Sequence, residues 1–309
     1  MELLDEAGFP PGVVNLVTGT GAEVGDAIVA SPDVQVISFS GSSATGKAIA
    51  EKAARRLKRV SLELGGKNAV VVLRDADLDL AVEGILWSAF GTTGQRCTAC
   101  SRVIVEQPVA DELVARLETR ANALRLGSGL DETVDVGPLI NAAAVDKVGG
   151  YIDVGRSEAE LVTGGAAATD GDLANGHFFQ PTIFHGVKPM DRIAQEEIFG
   201  PVLSVVPVED YGAAVTAVNQ TRYGLSASIF TRDVNAAFRA MRDFETGIVY
   251  VNAGTTGAET HLPFGGWKET GNGHREAGHV ALDTYTEWKA VYVDFSGKLQ
   301  RAQIENQPT

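Results

Sequence analysis

The stretch Gly94-Gln95-Arg96-Cys97-Thr98-Ala99 sets a thiol after a glycine-bearing turn, among small residues. Thirty-four positions earlier, Leu62-Glu63-Leu64-Gly65-Gly66-Lys67 places a carboxylate before two glycines. A thiolate attacks carbonyl carbon well, and the adduct carries negative charge on oxygen. That charge needs preorganised donors, for which the backbone N–H of Cys97 is a candidate. With a hydride acceptor on the other face of the adduct, a thioester would result. Its hydrolysis needs a base, and Glu63 suits that role if partial burial lifts its pKa toward neutrality. Taken singly, a cysteine is more often a buried structural residue and a glutamate an ordinary surface one. The pairing matters only if the fold brings both to one place.

The elements between them allow that. An apolar helical stripe, Leu78, Val82, Ile85, Leu86 and Ala89, precedes Cys97, and the strand-like run Arg102-Val103-Ile104-Val105 follows it. Arg59–Leu62 reads as a strand ending at Glu63, and Ala69–Leu73 as the next. One strand–helix unit spans the gap and can return both residues to the same sheet edge. Upstream, Val13–Val17 reads as a buried strand and Val34–Phe39 as another. The motif Gly19-Thr20-Gly21 with Gly25 resembles a dinucleotide fingerprint but is one residue too long. Gly41-Ser42-Ser43-Ala44-Thr45-Gly46-Lys47 opens a helix that Ser42 or Ser43 can cap, with free N–H groups suited to phosphate. Ala48 stands where a P-loop carries a hydroxyl, which argues against a nucleotide triphosphatase.

Helices are expected at 108–126, 141–154, 211–218 and 234–244. Strands are expected at 181–184, up to Val208, at 226–231, 248–252 and 288–295, with long ordered loops over 254–278. The alternation predicts an α/β fold with a parallel sheet and ligands at the strand C-termini.

Composition narrows the partners. A net charge of −14 disfavours nucleic acid and anionic membrane surfaces. No apolar run reaches bilayer length, and the first residues lack a signal-peptide pattern. Two cysteines in 309 residues form no disulfide framework, which points to a reducing, cytoplasmic setting. Cys97-x-x-Cys100 has no second pair, and His274 and His279 have no cysteine nearby, so no metal site is expected. A reversible Cys97–Cys100 disulfide guarding the nucleophile is one expectation to test.

Four motifs occur in register: Leu62-Glu63-Leu64-Gly65-Gly66-Lys67, Gly94-Gln95-Arg96-Cys97, Glu197-Ile198-Phe199-Gly200-Pro201 and Pro263-Phe264-Gly265-Gly266. Together they resemble the aldehyde dehydrogenase superfamily, over roughly residues 1–295. The resemblance implies NAD- or NADP-dependent oxidation of an aldehyde to a carboxylic acid. Cys97 would be the nucleophile, Glu63 the general base, and Glu276 an acid assisting proton movement. Gly41, Ser42, Leu64, Gly65, Glu197 and Phe199 would contact the cofactor, Glu197 at the nicotinamide ribose and Phe199 beside the nicotinamide. Gly19 and Gly21 would lie at the adenosine side. The implied fold is a parallel-sheet α/β one. Residues 1–65 would be the C-terminal part of a Rossmann-type cofactor domain and 66–270 a catalytic domain. Residues 271–309 would return to the cofactor domain and supply an oligomerisation strand of a homodimer or tetramer.

Asn252-Ala253-Gly254-Thr255-Thr256-Gly257-Ala258-Glu259 looks similar to members acting on semialdehydes. Family members carry a long segment ahead of the position of Met1, including an asparagine that completes the oxyanion hole. A truncated chain with impaired turnover is therefore expected, and loss of one such donor costs about a hundred- to a thousand-fold. A non-catalytic remnant and a cofactor-independent thiol esterase are the rival expectations.

Overall fold

The computed structural model describes residues 1–299. Ten helices lie among them: α1 (Glu2–Glu6), α2 (Asp26–Ala30), α3 (Ser43–Ala54), α4 (Leu78–Phe90), α5 (Gln107–Asn122), α6 (Ala142–Glu158), α7 (Arg192–Gln195), α8 (Tyr211–Asn219), α9 (Val234–Asp243) and α10 (Leu282–Tyr285). The strands are β1 (Val36–Ser40), β2 (Arg59–Glu63), β3 (Asn68–Val72), β4 (Cys100–Glu106), β5 (Glu160–Thr163), β6 (Thr182–His185), β7 (Val202–Val208), β8 (Tyr223–Gly224), β9 (Ser226–Phe230), β10 (Ile248–Val251) and β11 (Trp267–Lys268).

Seven strands form the main sheet in the order β10-β9-β3-β4-β7-β6-β5. All neighbours run parallel except β5, which is antiparallel to β6. β3, β4 and β9 are buried along their lengths, as a sheet covered on both faces requires. One apolar layer packs Val70, Val72, Val103 and Val105 against α4 and α5. On the other face Val71, Ile104 and Val206 meet residues from α6, α8 and α9. A smaller unit pairs β1 with β2 in parallel, and α3 covers it through Ala53, Ile37, Val60 and Leu62.

The chain returns to this smaller unit near its end. Glu63 bridges Gly271, the Leu62 N–H donates to Asn272 Oδ1 at 3.1 Å, and Asn272 Nδ2 donates to the Val60 carbonyl at 2.7 Å. Arg59 donates to the carbonyls of Asp283, Thr284 and Thr286.

Most of the expected elements are present, with three corrections. Val13–Val17 is no strand: it pairs with nothing among the described residues, and Val13, Leu16 and Val17 are exposed. Trp288–Phe295 is likewise unpaired and exposed. An apolar run forms a strand only where a neighbouring backbone completes its hydrogen bonds. The helix expected through Leu126 ends at Asn122, and Leu126 instead bridges Val136. The tail 301–309, expected to fray, lies outside the described residues.

Arg102 sits wholly inside the sheet layer. It donates to the Lys67 carbonyl from Nε (3.0 Å) and Nη2 (2.8 Å), to Ala217 (2.8 Å) and to Val218 (3.2 Å). Arg102→Met strands three buried carbonyls while removing one desolvated charge. The expected net loss is about 2–4 kcal/mol, read as a lower urea midpoint with an unchanged slope.

Candidate active site

Cys97 lies in the loop between α4 and β4, and Glu63 is the last residue of β2. Glu63 thus emerges at the carboxyl end of β2, whereas Cys97 precedes the amino end of β4, next to the start of β3. The expectation of a site at the strand C-termini holds for the acid and not for the thiol, because the two belong to different sheets. The polypeptide after Glu63 passes Leu64-Gly65-Gly66 and enters β3 at Asn68. The Asn68 side chain then holds the nucleophile loop: Nδ2 donates to the carbonyls of Cys97 (2.7 Å) and Ala99 (2.9 Å). Its Oδ1 accepts from the Ser226 N–H at 3.1 Å, tying the same point to β9.

Glu63 is 5% exposed, and neither carboxylate oxygen has a hydrogen-bond partner among the described residues. Burial and the nearby charge of Glu276 push its pKa up to about 8, against the opposing pull of Arg275. One oxygen packs over Gly265, where a Cβ would come within 2.8 Å of it. Such a carboxyl is mostly protonated at neutral pH, and its ionised form takes up a proton without first breaking a bond. Glu276 is held beside it by backbone pairing with Phe264 and by a 2.9 Å hydrogen bond from Ser38 Oγ.

Cys97 is half-buried and free; Cys100 is buried and free, with its Sγ turned to the Arg102 carbonyl. The expected disulfide is thus absent, since Cys100 has entered β4 with its sulfur in the core. Burial pushes Cys100 up to about 12. For Cys97, burial and the charges of Glu63 and Glu197 raise the pKa, while the N–H groups of Thr98 and Cys97 itself pull it down. The charge of Glu63 reaches the Cys97 sulfur, so the acid and the thiol are neighbours.

Glu197 joins them from the segment after α7. Its Oε1 accepts from the Gly66 N–H at 3.1 Å, and its other oxygen lies where a Cβ on Gly65 would stand, so Gly65 admits it by having none. Burial raises its pKa. Phe199 follows with φ 58° and 43% exposure. An exposed aromatic in the left-handed region is held there by its surroundings and is no core filler. The Gly41 N–H donates to the Glu63 carbonyl at 3.0 Å, and Ser42 caps α3 through the Thr45 N–H at 3.2 Å. Leu64 is buried against Gly46. Gly19 and Gly21 flank Thr20, which caps a short turn over Gly21–Gly25; this stretch is largely exposed and makes no hydrogen bond to the cluster among the described residues. Lys47 of the phosphate-binding-like loop pairs with Glu269 at 2.9 Å.

Asn68 and Arg275 are not singled out by the sequence, and Lys67, though it closes the first motif, is given no role there. Lys67 is 2% exposed, its Nζ has no partner among the described residues, and burial together with Arg102 pushes it down to about 7. No group of three or more metal-ligating side chains occurs among the described residues.

A half-buried thiol, a buried carboxyl without a hydrogen-bond partner among the described residues and a carboxylate held at a glycine pair are the groups this α/β arrangement brings together. Residues 1–291 match the aldehyde dehydrogenase family, and the chain belongs to it. It is 44% identical over 291 residues to an α-ketoglutarate semialdehyde dehydrogenase of Haloferax volcanii, covering 94% of this chain and 60% of that protein. It is 42% identical over 298 residues to a 1-pyrroline-5-carboxylate dehydrogenase of Staphylococcus epidermidis, covering 94% and 57%. Among solved structures, HpcC from Thermus thermophilus superposes with a TM-score of 0.90 at 42% identity, covering 96% of this chain and 59% of that one. A Staphylococcus aureus betaine aldehyde dehydrogenase in complex with NAD+ gives 0.89 at 36% identity, covering 92% and 56%. The chain thus spans under two thirds of the length of these relatives.

Between about pH 4.5 and 8 the folded state keeps a proton on Glu63 that the unfolded chain has released. This group's contribution to stability therefore falls as pH rises through that window. Glu63→Gln removes the effect, so the melting temperature of the variant relative to wild type should climb from about pH 5 to about pH 8.5. A difference that stays flat across that range would contradict the raised pKa.

Proposed function

We propose that this chain oxidises an aldehyde to a carboxylic acid with NAD+ or NADP+, through a covalent adduct on Cys97. The observation that carries the reading is Glu63: a buried, unpartnered carboxyl whose charge acts on the one half-exposed thiol. Cys97 attacks the carbonyl carbon, and the N–H groups of Cys97 and Thr98 face the charge that develops on oxygen. A bound nicotinamide cofactor supplies the hydride acceptor. The resulting thioester is hydrolysed by water from which Glu63 takes a proton, and Glu276 with Ser38 Oγ offers that proton a route outward.

The residues present suit such a cofactor. Glu197 is a carboxylate able to accept from ribose hydroxyls, Phe199 an exposed aromatic surface, and the capped start of α3 after Gly41 and Ser42 a phosphate-compatible helix end. Leu64, packed on Gly46, and Gly65, packed on Glu197, are proposed as further cofactor contacts. Gly19 and Gly21 are proposed at the adenosine side on resemblance alone.

The substrate class we favour is an aldehyde that also bears a carboxylate, in line with the names of the α-ketoglutarate semialdehyde and 1-pyrroline-5-carboxylate dehydrogenase relatives. The loop over 252–259 supports this because it lies beside the nucleophile. Thr255 Oγ1 donates to the Thr98 carbonyl at 2.7 Å, and Thr256 Oγ1 is buried without a partner among the described residues. We further propose the division at 65 and 270, a homodimer or tetramer, and a cytoplasmic location. No helix among the described residues is long and apolar enough to cross a membrane.

The test is NAD(P)H formation by the purified chain with a semialdehyde and with a neutral aldehyde. Wild type should reduce cofactor, and Cys97→Ser should abolish the reaction. Glu63→Gln should keep a first-turnover burst while its steady state drops about a hundred- to ten-thousand-fold. The wild-type steady rate should rise with pH around a midpoint near 8 and lose that limb in Glu63→Gln. Ester cleavage of equal rate with and without cofactor, or no Cys97-dependent reduction at all, would overturn the reading.

A further inference from the structure

The Gln95 side chain uses both ends of its amide on one neighbouring loop. Nε2 donates to the Pro138 carbonyl at 3.1 Å, and Oε1 accepts from the Ile140 N–H at 2.9 Å. Thr93 Oγ1 adds a third tie, donating to the Gly137 carbonyl at 2.9 Å. The receiving loop is itself fixed. Leu139 is buried in the core and its N–H donates to the His177 carbonyl at 2.8 Å, while Asn141 caps α6 at the Ala144 N–H.

On its other flank the nucleophile loop is confined by Gly200, whose carbonyl occupies the place a Cβ on Gly94 would take. Between these supports the backbone takes two successive left-handed residues, Thr93 (φ 58°) and Gly94 (φ 68°). A β-branched threonine adopts that conformation only when its surroundings impose it. Two residues beyond Gln95 is Cys97, with the N–H groups of Cys97 and Thr98 facing its sulfur and the carboxyls of Glu63 and Glu197 nearby.

We propose that Gln95 is a positioning residue. Its amide, locked to residues 138–140, fixes the loop so that the N–H groups of Cys97 and Thr98 face the sulfur and the carbonyl oxygen bound through it. Without that lock the loop relaxes, the amides turn away, and the neighbouring carboxyls and burial act on the thiol unopposed. The role deepens the function proposed above, and its turnover arm rests on that reading; its chemical arm does not.

The chemical arm measures alkylation of Cys97 by iodoacetamide as a function of pH, with mass spectrometry locating the label. Cys100 is buried and stays unlabelled in the folded protein. Gln95→Met keeps the length of the side chain and loses both hydrogen bonds. Gln95→Glu keeps the acceptor for Ile140 and loses the donor to Pro138. In the methionine variant the rate at pH 7 should fall about tenfold and the pH midpoint of labelling rise by about one pH unit. The glutamate variant should lie between it and wild type. A purely structural role would lower the melting temperature and leave the midpoint where it was. An unmoved midpoint in a folded variant therefore overturns the proposal, and Gln95→Glu decides the matter if Gln95→Met does not fold. In turnover, kcat should fall about tenfold with the KM for aldehyde unchanged. If wild type itself does not turn over, the proposed function fails while alkylation still judges Gln95.

Discussion

The junction at Asn68 is the point on which the rest of the site depends. Its side chain reaches the carbonyls of Cys97 and Ala99 and accepts from the Ser226 N–H. One buried amide thereby joins the start of β3, the nucleophile loop before β4 and the start of β9. All its bonds lie in a water-poor region, where an unmade hydrogen bond costs most. The strands cannot slip relative to one another without breaking this node, and the sulfur cannot move without moving the carbonyl that Asn68 holds.

Around that node the electrostatics are arranged by burial more than by ion pairs. Glu63 and Glu197 both have raised pKa values, and Lys67 a depressed one, each chiefly through burial. Among the described residues Glu63 has no hydrogen bond to hold it ionised, whereas Glu197 is engaged by the Gly66 N–H. The two carboxyls thus differ in availability. The one without a hydrogen bond gains a proton more easily, and the tethered one is held in place. Arg102, beneath them, spends its donors on main-chain carbonyls and braces the layer without entering the pocket.

The smaller unit contributes Glu63 from β2, and its attachment is made late in the chain. Leu62, Glu63 and Leu64 all bond to residues 270–272, so the position of the Glu63 carboxyl depends on residues more than two hundred places away. Glu276 and Arg275, which push and pull on the same carboxyl, arrive on that returning segment. Exposed apolar side chains at Val13–Val17 and Trp288–Phe295 lie outside the paired strands, and neither stretch joins a sheet among the described residues.

Much of this was legible from residue order. The alternation of β-branched runs with helical stripes determined the parallel sheet, since each pattern has only one way to bury its apolar face. Ser42 was legible as a cap of α3 because capping is local and needs no distant partner; Asp77 and Asn141 cap α4 and α6 in the same way. Cys97 and Glu63 stood out by residue type and neighbouring glycines. Other features depended on contacts that no local pattern encodes. Val13–Val17 and Trp288–Phe295 have strand composition but no strand to pair with, because hydrogen-bond partners are supplied by the fold. Cys97 and Cys100 looked alike in sequence, yet the start of β4 turns one sulfur into the core and leaves the other half-exposed. The raised pKa of Glu63, the clasp of Glu197 on Gly66 and the hold of Gln95 and Asn68 on the nucleophile loop arise only when remote segments meet. Sequence by itself determined which chemistry was available and which segments are regular. Tertiary structure decided which groups lose their water and which find a partner, because burial and pairing are properties of neighbours in space.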